Sequence, residues 1–293
     1  MAEGRIVKAL SGFYYVKSGE EIYQCRGRGV FRKQKITPLV GDFVTFESTN
    51  LDEGFITDIK PRKNELIRPP IANIDQAIIV TSVVLPDFSP LLLDRFLVLI
   101  ESKDIEPIIF ISKMDALSET MIEKIDYYRK VYEKIGYPVE LYSVKDNMNM
   151  EPLSRYLANN VSVIAGQSGV GKSSLLNKLK PSLVLETGEV SESLGRGKHT
   201  TRHVELVEIN NGLVADTPGF SSLDFDNIQL EELGNCFPEI AMHSTSCKFR
   251  GCNHIKEPKC AVKQAVEAGD IASSRYDHYL RFYEEIQTRK PRY

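Results

Sequence analysis

The sequence lacks any apolar run close to the roughly 20 residues that a helix needs to cross a bilayer. Residues 1–5 also lack the apolar stretch of a secretory signal peptide. These absences argue against a membrane partner and against secretion, and they predict a cytoplasmic protein. Internal repeats and low-complexity tracts are missing as well. A hydrophobic content of 42% in 293 residues is typical of a globular chain with two or three domains.

Cysteines are few and the net charge is low. Five cysteines in a cytoplasmic chain rarely form disulfides, and three of them cluster with a histidine near the C-terminus, which favours a metal site. The formal net charge is only −3, but residues 1–70 hold twelve Lys and Arg against nine Asp and Glu. That segment is therefore at +3 and the remainder at −6, which points to a polyanion bound on the N-terminal side.

A phosphate-binding loop lies past the middle of the chain. In its pattern, Gly-x4-Gly-Lys-Ser, backbone N–H groups surround phosphate oxygens, the Lys neutralises charge and the hydroxyl binds Mg²⁺. The apolar run 161–165 before it predicts a strand, and 173–179 predicts a helix whose N-terminus faces the anion. This context favours a nucleotide site over a glycine turn without a ligand. The loop comprises Gly166, Gln167, Ser168, Gly169, Val170, Gly171, Lys172 and Ser173, and Ser174 follows it.

Two segments downstream of the phosphate loop have residues suited to bind the γ-phosphate and Mg²⁺. Asp216, in the sequence Asp-Thr-Pro-Gly, can hold Mg²⁺ through water, and the N–H of Gly219 can sense the γ-phosphate, although a turn without a ligand has the same pattern. The basic, glycine-containing segment 195–202 is typical of a mobile loop that closes over Mg-GTP. Of its two adjacent threonines, Thr200 and Thr201, the spacing to the next strand favours Thr201 as the Mg²⁺ ligand.

The guanine-reading motifs precede the phosphate loop, so the GTPase domain is predicted to be circularly permuted. In the first, Ser112, Lys113, Met114 and Asp115, the Asp can accept both N–H groups of the guanine edge, and Lys113 packs along the base. Ser112 stands where GTPases usually have Asn or Thr, which weakens the neighbouring hydrogen bonds. Ser143, at the end of the next predicted strand, is expected to lie in the loop that backs the base.

The usual catalytic side chain is missing, because Phe220 occupies the position of the water-orienting Gln. His199 is the nearest polar replacement and can orient or deprotonate water near neutral pH. It completes a predicted catalytic set with Lys172 and Thr201, and the alternative is a surface or partner-contacting histidine. Magnesium ligands are predicted to be Ser173, Thr201 and Asp216.

Five short β-type stretches at the N-terminus, 5–10, 12–16, 21–25, 42–46 and 54–59, predict a small barrel. The loop 26–35 holds five basic residues, no acid and one aromatic, which suits phosphate contact and base stacking; solvated surface charge is the alternative. The connector 60–70 is too rich in proline and charge for a core element and marks a boundary. Beyond it, alternating strands and helices predict a parallel sheet covered on both faces.

The C-terminal cluster has the donor set of a closed, tetrahedral zinc site. Three thiolates and one imidazole leave no position for a catalytic water, so one structural zinc ion is predicted rather than buried, unliganded thiols. Cys25 and Cys236 are not part of such a cluster in the sequence and are expected to be ordinary small side chains. Helices are predicted at 261–268 and 271–287, the second with packing aromatics. The four zinc ligands are Cys247, Cys252, His254 and Cys260.

The sequence thus predicts a multidomain chain. It comprises an N-terminal OB-fold β-barrel at 1–70, a central circularly permuted α/β P-loop GTPase domain at 71–223, and a C-terminal α-helical zinc-binding domain at 224–293. The motifs GQSGVGKSSL, GRGKHTT, DTPGF and CKFRGCNHIKEPKC, in this order behind a barrel, resemble those of the ribosome small-subunit-dependent GTPase A family, also called RsgA, YjeQ or YloQ. The resemblance covers essentially the whole chain.

This resemblance implies a late-acting assembly factor that binds GTP or GDP and contacts the 30S ribosomal subunit and its rRNA. It implies that the subunit stimulates GTP hydrolysis and that hydrolysis accompanies release; a monomer is expected. The family carries a histidine at the position of His199 and more commonly an Asn at that of Ser112. Two other classes stay open: a phosphotransferase, for which no acceptor pocket or base is visible, and a GTP-dependent RNA-binding switch with negligible catalysis.

Overall fold

The computed structural model describes residues 1–29, 31, 36–143, 151–180, 204–215 and 223–289. Five strands form an N-terminal barrel, in the order β1-β2-β3-β5-β4, and pairing of β1 with β4 closes it. Among the described strands of the barrel, only β3 and β5 pair in parallel. Inward residues such as Ile6, Val16 and Val44 are fully buried, so the predicted five-stranded OB-type barrel is confirmed. The strands are β1 (Ala2–Leu10), β2 (Phe13–Ser18), β3 (Glu21–Gly27), β4 (Phe43–Ser48) and β5 (Gly54–Ile59).

A short hairpin follows the barrel, with strands β6 (Glu65–Ile67) and β7 (Pro70–Ala72). The connector 60–70 was expected to stay out of the core, but its Leu66 is buried in the core, next to Ile71 of β7. The side-chain alternation of a strand turns Leu66 inward while Glu65 and Ile67 face solvent. Since the hairpin crosses residue 70, the domain limit placed there remains a prediction.

A six-stranded sheet, in the order β10-β9-β8-β11-β13-β12, forms the centre of the molecule. Its first five strands are parallel. Ile79 and Ile109 face one core together with Leu97, whereas their neighbours Ile78 and Ile108 face another, so both faces of the sheet are covered as predicted. The strands are β8 (Gln76–Ser82), β9 (Glu106–Ser112), β10 (Val139–Leu141), β11 (Val161–Ala165), β12 (Val204–Ile209) and β13 (Gly212–Ala215); the helices are α1 (Pro90–Glu101), α2 (Glu119–Ile135), α3 (Glu151–Leu157) and α4 (Lys172–Leu179).

Strand β12 departs from the predicted parallel arrangement. Asn210 and Asn211 form a two-residue turn with positive φ angles of 50° and 61°, which is too short for a crossover and makes β12 antiparallel to β13. The other edge of β12 pairs with β1 of the barrel, and the Lys8 ammonium lies 2.8 Å from the Glu205 carboxylate across this junction. The barrel and the central sheet are therefore hydrogen-bonded into one continuous sheet.

The C-terminal region is helical, with α5 (Pro238–Ser244), α6 (Ala261–Ala268) and α7 (Ser273–Thr288). Helix α5 was not predicted, whereas α6 and α7 lie within two residues of the predicted spans. Tyr279 and Phe282 of α7 are almost fully buried, which confirms their packing role, and Val98 of α1 belongs to the same core. Across the described residues, no helix is both long and apolar enough to span a membrane.

A buried ionic network joins α1 to α5 and α7. The Arg275 guanidinium donates to the Asp94 carboxylate at 2.7 Å and to both oxygens of Glu239 at 2.7 and 3.1 Å. The Tyr132 hydroxyl also donates to Asp94 at 2.7 Å, and a nitrogen of His278 lies 2.5 Å from the second Asp94 oxygen. Since Arg275 and Asp94 are 1% and 0% exposed, the C-terminal module is fixed to the central sheet by desolvated charges.

Candidate nucleotide and metal sites

The phosphate loop depends on glycines at two positions. Gly166 has a φ of +140°, and a Cβ there would lie 2.2 Å from the carbonyl oxygen of Val80. Gly171 has a φ of +100° and is the N-cap residue of α4. No other residue fits either position without shifting the backbone. The loop therefore leads from β11 into α4, whose first turn holds Ser173 and Ser174 at the helix end that favours anions.

Lys172 lies across the loop that precedes it. Its ammonium donates to the carbonyl oxygens of Gly166 and Gln167 at 2.8 and 2.7 Å. Burial lowers the pKa of Lys172. An anionic phosphate bound at the loop would counter this effect by favouring the charged ammonium.

The two guanine motifs meet at the ends of neighbouring parallel strands. Met114 and Asp115 lie in a short 3-10 turn after β9, entered through Lys113 with a φ of +61°. Ser143, just beyond β10, is fully buried, and its hydroxyl donates to the exposed Asp115 carboxylate at 2.7 Å. This hydrogen bond can orient the carboxylate that was predicted to accept the guanine N–H groups.

Ser112 contacts the phosphate loop directly. It is 1% exposed, and its hydroxyl donates to the carbonyl oxygen of Val170 at 2.7 Å. The sequence interpretation treated Ser112 only as a weakened guanine motif and missed this link. It also missed the loop after β8: the Lys113 ammonium donates to the Leu85 carbonyl, and a Cβ on Gly169 would lie 3.7 Å from Pro86. No local pattern marks these contacts, because their partners come from distant parts of the chain.

The remaining predicted nucleotide residues lie outside the described residues: His199, Thr200, Thr201, Asp216 and Gly219. Their roles stay predictions. The described strands show only where the two segments that contain these residues join the sheet. Strand β13 runs parallel to β11 and ends at Ala215, so it ends at the same edge of the sheet as the phosphate loop.

Two arginine–aromatic stacks lie among the described residues of the barrel. The Arg5 guanidinium lies 4.1 Å from the centre of the Phe43 ring, and Arg26 lies 4.7 Å from that of Phe13. In the predicted RNA-contacting loop, Arg28 pairs with Glu47 at 2.7 Å, whereas Val30 and 32–35 lie outside the described residues. The role of this loop stays a prediction.

The four predicted zinc ligands converge. Their donor atoms all lie within 4.8 Å of one another. Nδ1 of His254 is 3.6 Å from Sγ of Cys247 and 3.3 Å from Sγ of Cys260, and the two sulfurs are 3.9 Å apart. A tetrahedron with Zn–S bonds of about 2.3 Å places sulfurs roughly 3.8 Å apart, so the residues present fit one tetrahedral metal ion.

The environment of the cluster also fits a metal. Burial, with smaller contributions from the neighbouring thiols, raises the pKa of Cys252 to about 12, so a thiolate there at neutral pH needs a cation. Burial lowers the pKa of His254, which favours the neutral imidazole that a metal requires. The Glu257 carboxylate accepts three backbone N–H groups of the ligand loop, and Tyr276 donates to the His254 carbonyl at 2.6 Å. These bonds fix the loop from outside the donor set.

Comparison with known proteins gives matches along the whole chain. The family described as "RsgA N-terminal domain" matches residues 3–56, and "RsgA GTPase" matches residues 59–226. The chain is 66% identical to Small ribosomal subunit biogenesis GTPase RsgA 2 of Oceanobacillus iheyensis and 62% identical to Small ribosomal subunit biogenesis GTPase RsgA of Bacillus cytotoxicus, with complete coverage of both chains in each case.

Two solved structures share this architecture. The structure of YloQ, described as a circularly permuted GTPase, is 54% identical and has a TM-score of 0.86, over 100% of this chain and 97% of that one. The structure of YjeQ from Thermotoga maritima is 37% identical and has a TM-score of 0.87, over 99% of each chain. The circular permutation inferred from motif order is therefore also found in a structure that matches the whole chain.

Proposed function

Because this chain belongs to the RsgA GTPase family, we propose that it is a GTP hydrolase of late 30S ribosomal subunit assembly, which the subunit stimulates and which leaves the subunit upon hydrolysis. The observation that carries the proposal is the complete coverage, at 66% identity, of a relative named as a small ribosomal subunit biogenesis GTPase. The meeting of Ser112, Asp115 and Ser143 beside the phosphate loop supports guanine nucleotide as the ligand. The proposed site of action is the cytoplasm, with the protein as a monomer.

In the proposed nucleotide site, Lys172 contacts the phosphates and Asp115 reads guanine. Ser173, Thr201 and Asp216 would hold Mg²⁺, and the ion would supply neutralisation of the phosphate charge. Phe220 has no polar group with which to orient the attacking water, so His199 orients or deprotonates it instead. Thr201 also contributes a backbone contact to the γ-phosphate.

The proposed RNA contacts are made by the barrel and by the C-terminal module, in which zinc is the proposed metal. Each of these two domains is joined along the chain to a segment of the proposed nucleotide site. Strand β12, which pairs with β1 of the barrel, begins directly after the segment that contains His199 and Thr201. The C-terminal module follows Asp216 and Gly219 and is bound to α1 by the Arg275 network. A change in either segment on loss of the γ-phosphate can thereby reach an RNA-contacting domain.

Purified 30S subunits are expected to raise the rate of GTP hydrolysis by about tenfold or more, which is a barrier reduction of ~1.4 kcal/mol or more. ATP hydrolysis is expected to stay at background, because adenine cannot offer two N–H groups to Asp115. Phosphate release is measured with each nucleotide, with and without 30S, and Lys172→Ala serves as the control for contaminating hydrolases. Absent stimulation, with GTP binding intact, would replace the proposal by a GTP-dependent RNA-binding switch.

Replacing His199 with Ala is expected to lower 30S-stimulated turnover by roughly 10²- to 10⁴-fold, the usual contribution of a general acid–base group. GTP affinity should remain close to that of the wild type, because the imidazole acts on water rather than on the nucleotide. Turnover and fluorescent-nucleotide affinity are measured in parallel, with His203→Ala as a matched histidine control. Full turnover by His199→Ala would remove His199 from the catalytic set.

A further inference from the structure

The loop between the first two predicted metal ligands carries an exposed aromatic ring. Phe249 lies between Cys247 and Cys252 in the sequence and is 44% exposed. Both cysteines pack against the C-terminal core, whereas Phe249 belongs to no hydrophobic cluster of the described residues. A single exposed apolar side chain is common on protein surfaces, so the meaning of this ring depends on what surrounds it.

The surroundings of Phe249 are strongly basic. Residues 247–263 hold five Lys and Arg and one acid, which gives a net charge of +4 in a chain whose net charge is −3. The acid, Glu257, is turned to the backbone, where its carboxylate accepts three N–H groups. Within the described part of the chain, none of the five cations forms an ion pair with a carboxylate. They are Lys248, Arg250, Lys256, Lys259 and Lys263.

This concentration of unpaired cations favours a polyanionic partner. Cations elsewhere in the described chain have carboxylate partners, among them Lys8, Arg28, Arg62, Arg95 and Arg275. An acidic protein or an RNA duplex would use the charges of the loop but not its ring. Single-stranded RNA uses both, because its phosphates bind cations and its unpaired bases stack on aromatic side chains.

The metal site would present the ring in a fixed position. The chain is held on both sides of residues 248–251, since Cys247 and Cys252 belong to one set of converging donor atoms. A loop fixed in this way loses little conformational freedom when it binds. The Lys248 ammonium lies 5.5 Å from the centre of the Phe249 ring. Its flexible stem allows it to move from the ring to a phosphate when a base stacks there.

We propose that the loop 247–252 is a contact for single-stranded RNA, in which Phe249 stacks on one unpaired base and the surrounding cations bind the flanking phosphates. This inference rests on the proposed function and deepens it, because it identifies the part of the C-terminal module that meets RNA and the feature of the RNA that it recognises. The contact does not depend on base identity, since every base has a face on which a ring can stack.

Phe249→Trp introduces a reporter for stacking, because the chain has no tryptophan. Indole fluorescence is measured while single-stranded poly(U) or inorganic polyphosphate is added to the full-length, metal-loaded protein. Poly(U) should quench the emission strongly, because a stacked base quenches an indole. Polyphosphate, which offers negative charge without bases, should leave the emission nearly unchanged. Equal quenching by both polymers, or no quenching by poly(U), would overturn the proposal.

Tyr127→Trp is the matched control for the reporter. Tyr127 lies on α2 in the central domain, and its exposure of 48% is close to that of Phe249. Poly(U) should leave the emission of this variant unchanged. Quenching as strong as that of Phe249→Trp would overturn the proposal, because it would show contact with RNA at exposed rings in general.

Phe249→Ala tests the ring on the 30S subunit itself. The variant is expected to bind 30S about tenfold more weakly, which is ~1.4 kcal/mol, within the usual contribution of one stacked base. Phe249→Tyr keeps the ring and should bind within about twofold of the wild type. Metal content and unfolding temperature of Phe249→Ala should match those of the wild type, because the ring lies outside the core. Wild-type affinity of Phe249→Ala, or equal losses for the Ala and Tyr variants, would contradict stacking.

Failure of this inference and failure of the proposed function give different results. If 30S subunits neither bind the wild type nor raise its rate of GTP hydrolysis, the proposed function fails and the RNA contact fails with it. If 30S subunits stimulate the wild type, and Phe249→Ala binds them equally well, only the contact through Phe249 fails.

Discussion

Chelation of the metal at the Cys247, Cys252, His254 and Cys260 cluster is expected to unfold the C-terminal helical module. Metal binding contributes apparent free energies of about 10–16 kcal/mol in small zinc domains, where it is coupled to folding. Cys260 immediately precedes α6 and is packed in the C-terminal core, so loss of the metal reaches beyond the ligand loop. The purified protein should hold one zinc ion per chain, and loss of even ~3 kcal/mol should lower its unfolding temperature by roughly 6–12 °C.

The measurement pairs metal analysis with thermal unfolding before and after chelation. Cys260→Ser should give the same result as chelation, because it removes one of four ligands. Cys25→Ser is the matched control: that thiol is equally buried, but it lies in the barrel, away from the cluster. The Cys25→Ser variant should keep its metal, and its stability should fall by no more than a local packing loss. An unfolding temperature that does not change when the metal is removed would refute the structural role.

The sequence was most informative where a local pattern decides the structure. Strand β9 is apolar and buried almost throughout, and its end coincides with the polar motif that begins at Ser112. Helix α6 ends as predicted because Gly269 adopts a φ of +80° directly after it. The metal ligands could be identified because their residue types and spacing carry the chemistry without any need for the fold.

Contacts between segments that are distant in the sequence could not be predicted from local patterns. Nothing in residues 204–209 indicates that β12 borders the barrel as well as β13, since an edge strand and a shared strand have similar sequences. Ser143 was predicted to follow a strand, but its hydrogen bond to Asp115 depends on the pairing of β9 with β10 in the sheet. Arg275 gives no sign of burial, because its partner Asp94 lies 181 residues away.

Arg275→Met is expected to lower the free energy of unfolding by about 3–5 kcal/mol, the usual effect of removing one partner of a buried ion pair. The Arg275 guanidinium lies 4.5 Å from the centre of the Phe237 ring, and methionine replaces this charged contact by apolar packing of an unbranched side chain. It leaves the Asp94 and Glu239 carboxylates buried without their cation, and this uncompensated charge causes the loss. Urea denaturation followed by circular dichroism measures the change.

Glu285→Gln is a matched control on the same two helices. Glu285 of α7 pairs with Arg95 of α1, but its carboxylate is 46% exposed, so its charge should contribute no more than about 1 kcal/mol. A loss for Arg275→Met as small as that for Glu285→Gln would contradict the importance of the buried network.

A variant in which the whole network is neutral distinguishes the effect of the buried charges from the effect of side-chain packing. In the triple variant Asp94→Asn, Glu239→Gln and Arg275→Met, no buried carboxylate is left without a cation. Stability is expected to recover by several kcal/mol relative to Arg275→Met, because neutral replacements of buried ionic groups are often tolerated. If the triple variant holds the C-terminal module in place but loses 30S-stimulated hydrolysis, the network serves the transmission between α1 and that module. If it retains full stimulation, the charges serve stability alone, and the coupling between nucleotide and RNA-contacting domains must run through the chain that links Asp216 to the module.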